Sequence, residues 1–427
     1  MRGKWPGRSG SWGKGTAPLE RSSLRSSAAT EDRRPTGAFM AGRLSRRAGR
    51  VDLLKSALPS RSALTCTLTC ALPNLRLGAM LAAETSRVPV PARSLPPQTS
   101  GWKEIADAVE PFLQRVARQL EAQTSEFEPQ IASFARYALT AQGKQLRPIL
   151  VSLCGEAAGT LNESHLTVAV IIEMIHLATL VHDDVIDAAQ LRRGRLTMAA
   201  NWGNEISVLL GDCLFAHALE LAASFPTPEI CRAVASATNT VCAGEILQSR
   251  SRGDFAIARG HYLKMLAMKT GELFALSCDL GARLSNAPPG RRLALRQYGL
   301  ALGTAYQLYD DCLDVLGSEA AAGKTLGADL ANGRMTLPIL VVRDRAGAED
   351  QMLLRHWLAH WEPSLLPGVV ELILKYDAFT ESQSVFQQYL DSARQSLLTL
   401  PPSAGRSGLM SLTNFLAEQT GALGVVY

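Results

Sequence analysis

The sequence predicts an all-α protein built as a single large helical domain, and three observations carry that reading. From about residue 101 onward the chain is uniformly rich in Ala and Leu, and its apolar residues recur at three and four spacing with no alternating strand pattern. The longest apolar run, Leu166 to Val181, fills most positions with Val, Ile, Met, Leu and Ala, as a helix buried on all sides does. That run and a second helical one both close on Asp-Asp-x-x-Asp, first at Asp183, Asp184 and Asp187 and again at Asp310, Asp311 and Asp314.

Residues 1–80 carry 15 Lys and Arg against Glu20, Glu31, Asp32 and Asp52, so the formal net charge of +5 hides a mildly acidic body. The segment is rich in Ser, Arg, Gly and Pro and cannot bury enough apolar surface to offset its ordering entropy. Residues 1–100 are expected to form a disordered basic extension and linker, and residues 101–427 the folded domain. Three readings of the extension stay open: a transit peptide to a mitochondrion or plastid, a basic arm for nucleic acid or acidic lipid, or upstream sequence ahead of a start at Met80. The last is preferred, because no Arg-rich amphipathic helix precedes Met80, and a cytoplasmic location follows from it. No recognition helix or aromatic interleaving supports nucleic-acid binding. The eight cysteines form no C-x-x-C pair, which suits buried free thiols in a reducing compartment. Glu173 and His176 interrupt the run before Asp183, which argues against a transmembrane span.

Taken in order, a helix is expected from Trp102 to about Gln123, with Ile105, Val109, Phe112, Leu113, Val116 and Leu120 on its inner face and a kink at Pro111. Gly143 to Pro148 starts the next helix and places Lys144 and Arg147 three apart, able to point at one anion. On the helix from Ile171 to Asp187, His176 lies seven residues before Asp183, two turns away on nearly the same face. Arg192, Arg193 and Arg195 follow the acids. Gly211-Asp212 reads as the opening of a further helix, and Gly244 to Gln248 as polar residues that are structural or ligating. Lys269-Thr270-Gly271 interrupts a helix from Gly260 to Leu284, and a kink there would aim Lys269 inward. Gln307 precedes the second acid cluster on the stripe of Asp311 and Asp314. The loop from Gly323 to Pro338 holds three Gly with Lys324 and Arg334 and can fold over a phosphate. Beyond Ile339 the chain reads as helical packing, with Leu353, Leu354, Trp357, Leu372, Ile373 and Leu374 in the core.

Asp183 and Asp187 share one helix face with nothing basic between them in sequence. Crowded carboxylates raise each other's pKa unless a hard cation keeps them ionised, and oxygen-only ligands suit Mg2+. Two such clusters with basic residues downstream describe a cage for several Mg2+ ions and a diphosphate.

In combination, G-K-x-x-R-P, the run from His176 through the acids to Arg192-Arg193-Gly194, Lys269-Thr270, Gln307 before the second acid motif and the 323–338 loop resemble the trans-isoprenyl diphosphate synthases, the polyprenyl synthetase family. The resemblance implies antiparallel helices around a deep central cavity, a homodimer, Mg2+ as cofactor, and chain elongation of an allylic diphosphate by isopentenyl diphosphate. It implies metal ligation by Asp183, Asp184, Asp187, Asp310, Asp311 and Asp314, with Lys269, Asp183 and Asp310 central to catalysis. Arg192, Lys269, Thr270, Gln307, Lys324 and Arg334 would contact the allylic diphosphate. Lys144, Arg147, His176 and Arg193 would hold isopentenyl diphosphate. Gln142, Tyr306 and Arg334 stand where the family often has Gly, Phe and Lys. In this family an aromatic four or five residues before the first Asp ends elongation early; Ala178 and Thr179 occupy those positions, and with Ile175 they imply a long product. A shorter product, a terpene cyclase and a silent subunit of a heteromeric synthase are the rivals, and two complete acid motifs favour elongation.

Overall fold

The computed structural model describes residues 100–140, 143–318, 325–421 and 423. The expected N-terminal extension, Gln142 and Lys324 lie outside the described residues. Helices α1 (Ser100–Gln123), α2 (Pro129–Leu139) and α3 (Leu146–Ala158) lead to α4 (Glu163–Ile186), which carries the first acid motif. Its start is fixed by a reciprocal cap: Asn162 Oδ1 accepts the Ser164 N–H at 3.1 Å while His165 Nδ1 accepts the Asn162 N–H at 3.0 Å. Apolar residues circle α4 because protein surrounds it, and Ile171, Ile172, Met174 and Ile175 have no exposed surface.

A two-residue hairpin, β1 (Leu191–Arg192) against β2 (Arg195–Leu196), follows. Its turn puts Arg193 at φ 51° and Gly194 at φ 75°, the left-handed pair that a tight hairpin needs. Then come α5 (Met198–Ala223), α6 (Glu229–Arg250), α7 (Arg259–Leu266), a π turn (Ala267–Gly271), α8 (Glu272–Leu284) and α9 (Pro289–Leu316), which ends on the second acid motif. The short α10 (Ala328–Ala331), then α11 (Leu337–Arg345), α12 (Ala348–Ala359), α13 (Leu366–Lys375), α14 (Ala378–Leu398) and α15 (Ala404–Gly421) complete the bundle.

Helix α8 divides the core. Phe274, Cys278 and Ala282, at four-residue spacing, join residues of α3, α9, α11, α14 and α15, whereas Leu273, Leu276 and Leu280 join α1, α4, α5 and α6. The π turn packs on α6 and α9, so a locally widened backbone lies against residues 300–307 of α9, ahead of its acid end, and its Lys269 side chain reaches Asp183 near the end of α4. Such single-turn widenings occur often at functional sites.

Four expectations are corrected. Gly211-Asp212 lies inside α5, not at its start. There a Cβ would stand 2.1 Å from His182 Nε2, so the glycine admits an imidazole rather than ending a helix. Leu353 and Leu374 are exposed, at 39% and 55%, whereas their neighbours Leu354 and Ile373 have no exposed surface; adjacent residues on a helix point about 100° apart, and an unbroken apolar pair cannot say which faces in. The hairpin was invisible in an all-helical reading because two-residue strands have no alternation to detect. The break expected at Lys269 is a π turn, with the helical path continuing on both sides. All six described cysteines are free as expected, but Cys242 is exposed.

Candidate active site

Both acid motifs occupy the last turns of their helices, where the macrodipole is already negative. Carboxylates placed there cost stability and attract cations. Asp183 Oδ2 lies 3.5 Å from Lys269 Nζ, which also pairs with Glu245 and donates to Gln248 Oε1 at 2.9 Å. Asp184 Oδ1 accepts Arg192 Nε at 2.7 Å. Asp187 accepts Arg252 Nη2 at 2.6 Å and Arg334 Nη2 at 2.7 and 2.6 Å. No basic residue lies between Asp183 and Asp187 in sequence, yet the fold neutralises both. The first motif's counter-ions come from four other segments, which spacing within one helix cannot reveal. Burial still raises the pKa of Asp183, with Glu245 and Asp187 adding to it and Lys269 opposing. Burial raises Asp184 as well, against the Arg192 hydrogen bond.

The second motif opens onto the same place. Thr270 Oγ1 donates to Gln307 Oε1 at 2.9 Å, and Gln307 Nε2 donates to Asp311 Oδ1 at 2.9 Å. Lys269 and Thr270 are neighbours, so the π turn touches Asp183 through one residue and reaches Asp311 through the next. A second link is Arg334, which holds Asp187 and, through Nη1 at 2.9 Å, Asp329. A cleft of about 470 Å³ is lined by Lys269, Gln307, Asp311, Asp329 and Arg334 among others. Asp311 also accepts the Tyr262 hydroxyl at 2.5 Å. Burial, then the nearby Asp329 charge, pushes its pKa up to about 8. Asp314 has no exposed surface and its Oδ2 accepts the Asp329 N–H at 2.9 Å, so in this state it braces the loop that delivers Arg334. Asp310 sits on the other edge of α9, where its charge acts on Lys144, Tyr306 and Tyr309.

Beside Asp310 lie the four residues expected to bind isopentenyl diphosphate. The Arg147 guanidinium stacks 5.1 Å over the Phe274 ring. His176 is half-buried, and burial first, then the charges of Arg147, Arg193 and Arg192, push its pKa well below the ordinary value. Arg193 packs against Gly143, where a Cβ would come within 2.4 Å of its guanidinium. Lys144 lines the mouth of an apolar cleft of about 400 Å³ with Phe274, Tyr306 and Tyr309. Amid these cations stands Glu173, 5% exposed, its charge balanced by Arg147 and Arg193 and its pKa raised by burial. So much positive charge around a small open space fits a phosphate-rich anion.

The residues fit hard divalent cations. Every candidate ligand is a carboxylate oxygen, and burial raises the pKa of Asp183, Asp184 and Asp311, an energetic strain that a bound cation would relieve. Among the described residues no three acids converge closely enough to cage an ion as they stand: Asp183, Asp184, Asp187 and Asp311 are turned onto Lys, Arg, Tyr or Gln side chains, and Asp314 onto the Asp329 N–H. Ligation therefore requires side-chain rearrangement.

These shifts give a signed prediction. Asp311 binds its proton more tightly folded than unfolded, so its contribution to stability is lost as pH rises toward about 8. His176 and His165 have depressed pKa values and act in the opposite sense, but below their ordinary 6.5. Between pH 6.5 and 8 the metal-free protein is therefore expected to lose thermal stability, and Asp311→Asn to flatten that decline. Scanning calorimetry in a chelator checks this, and a wild-type Tm that holds or rises across the window contradicts it.

Sequence reasoning missed Arg252, Asp329, Tyr262 and Glu173 as parts of the site. Glu173 had a signal, an acid in an apolar run one turn before His176. Arg252 had none, being an arginine in a short interhelical loop with no motif around it. Ile175 and Ala178, expected to set product length, have no exposed surface and belong to the core, whereas Thr179 is half-buried and its hydroxyl donates to the His176 carbonyl at 2.7 Å.

Comparison with known proteins agrees with this architecture. Residues 128–366 match the Polyprenyl synthetase family model. The chain is 35% identical over 304 residues to heptaprenyl diphosphate synthase component 2 of Bacillus subtilis, covering 71% of this chain and 87% of that one. Among solved structures, a decaprenyl diphosphate synthase from Rhodobacter capsulatus superposes with a TM-score of 0.71 at 30% identity, covering 75% of this chain and 99% of that one. A polyprenyl synthase from Caulobacter crescentus, complexed with calcium and isoprenyl diphosphate, gives 0.71 at 32% identity over the same shares. The helical bundle, the paired acid motifs and these likenesses agree: the chain belongs to the polyprenyl synthetase family, whose members are trans-prenyltransferases.

Proposed function

We propose that the chain condenses isopentenyl diphosphate with an allylic prenyl diphosphate, using Mg2+, to make a long all-trans polyprenyl diphosphate. The observation that carries this is the side-chain linkage of the two acid motifs around one cleft, Lys269 with Asp183 and Arg334 with Asp187 on one side and Thr270–Gln307–Asp311 on the other, with the Arg147–His176–Arg193 cluster beside Asp310. Asp183, Asp187 and Asp310 are the residues we assign to hold Mg2+, with Asp184 and Asp311 in support; when bound it supplies positive charge to the departing diphosphate. Lys269 and Arg334, which now hold carboxylates, would turn to the allylic diphosphate and stabilise its leaving oxygens. Arg192 and Thr270 have the placement to assist them, and Lys324 completes the reading from sequence. Lys144, Arg147, His176 and Arg193 would orient isopentenyl diphosphate so that its double bond meets the allylic carbon. The apolar core around α4 and α8 keeps water from the cation, and the proton lost after bond formation goes to the released diphosphate.

Incubation with Mg2+, labelled isopentenyl diphosphate and a set of allylic primers, followed by sizing of products, tests the reading; no elongation from any primer would sink it. The same assay tests chain length. Ala178→Phe should shorten the products, at a packing cost of about 1–3 kcal/mol that a melting curve will register. A folded variant with an unchanged product profile removes Ala178 from the path of the growing chain.

A homodimer is part of this proposal. Helix α5 is long and apolar enough to cross a membrane by length and composition, as is α4, but only 33% of its apolar window is buried against 72% for α4. Val208 and Leu209 on α5 and Ile246 on α6 are exposed, and a second copy would cover them. The mass measured in solution by light scattering decides this.

A further inference from the structure

Arg252 lies in the loop after α6 and belongs to none of the motifs that the proposed reaction uses. Its Nη2 nevertheless stands 2.6 Å from Asp187 Oδ1, the oxygen that Arg334 Nη2 reaches at 2.7 Å, while Arg334 also holds Oδ2 at 2.6 Å. A carboxylate offers about four lone-pair sites, so three bonds leave little room for a further partner. The two loops that deliver these arginines are tied together by the Gly253 N–H donating to the Gly333 carbonyl at 2.8 Å. They grip Asp187 as one unit at the negative end of α4.

The two guanidiniums are not equivalent. Arg334 is anchored a second time on Asp329 and its side chain is 17% exposed. The Arg252 guanidinium has no other hydrogen-bond partner among the described residues and its side chain is 29% exposed. With no diphosphate present to draw Arg334 away, Arg252 is the one that can leave without breaking a second ion pair.

We infer that Arg252 is a positioning residue that competes with the divalent cation for Asp187, holding that carboxylate in the metal-free protein and giving it up when the ion binds. The inference rests on the assignment of Asp187 as a ligand. It makes the arginine a determinant of how much metal the enzyme requires, because the ion must displace an ion pair before it can bind.

The test uses Mn2+ alone as the probe, titrated into the full chain without diphosphates and followed by the paramagnetic resonance of the free ion. Arg252→Gln should tighten Mn2+ binding about fivefold. Arg250→Gln, which removes an exposed positive charge two residues away, controls for long-range electrostatics and should leave affinity unchanged. The melting temperature of Arg252→Gln should fall below wild type in chelator and match it at saturating Mn2+. Affinity unchanged in Arg252→Gln, an equal gain in Arg250→Gln, or the same loss of Tm with and without the ion would each overturn the inference. Asp187→Asn separates the two levels: if it binds Mn2+ as wild type does, the ligand assignment fails, whereas weakened binding keeps the assignment and leaves the arginine series to decide.

Discussion

Replacing Asp183 with Asn is expected to lower kcat on the order of 10³-fold, the scale seen when a principal group that stabilises developing charge is removed. Asn keeps the size of the side chain but cannot carry the negative charge that would hold a cation against the allylic diphosphate. Stability should move the other way. Asp183 is disfavoured by burial, by Glu245 and by Asp187, with Lys269 and, more weakly, Arg192 in its favour, so a neutral side chain relieves a standing repulsion. Metal-free Asp183→Asn is therefore expected to melt at or above the wild-type temperature while losing turnover, the trade often found where active sites hold strained charge. Steady-state assays and calorimetry on one preparation measure both. A kcat within tenfold of wild type would remove Asp183 from the chemistry, and a large loss of Tm would show that it serves the fold.

The same tension explains how much of the molecule could be read in advance. Helices α4 and α9 were legible because an apolar surface wrapped around a helix, ending in three acids, has few other uses. The π turn at Lys269 was legible as a break because Thr and Gly together weaken a regular helix. Arg192, Lys269 and Arg334 were legible as part of the site, but their pairing with the carboxylates was not, and Arg252 was not legible at all. Arg252 and Arg334 are far from Asp187 in sequence, and only the bundle brings the three together. Leu353 and Leu374 failed for the opposite reason: an apolar residue carries no sign of its direction when its neighbour is apolar too. Ile175 and Ala178 were placed on the right helix, yet the substrate-free core is closed over them, because close-packed side chains leave few open voids.

Arg147→Ala is expected to raise the KM for isopentenyl diphosphate about 100-fold, or ~3 kcal/mol, the cost of truncating one member of an enclosed charge pair. The KM for the allylic primer should change little, since Arg147 stands with His176 and Arg193 on the Asp310 side of the cleft. The guanidinium is held by its stack on Phe274 at 5.1 Å, so its fork is oriented before the substrate arrives and little ordering remains to oppose binding. Its loss has a second consequence through Glu173. That carboxylate is 5% exposed, and the charges of Arg147 and Arg193 are what favour its ionised form against burial. Without Arg147 it becomes an under-compensated negative charge facing an incoming diphosphate. Adding Glu173→Gln to Arg147→Ala should therefore recover part of the lost affinity, about fivefold, even though it adds a second substitution to the same site. Calorimetric binding of isopentenyl diphosphate to the single and double variants measures this directly. If Arg147→Ala binds within threefold of wild type, or if Glu173→Gln recovers nothing, then the cations gathered at that end of the cleft serve the fold and the second substrate sits elsewhere.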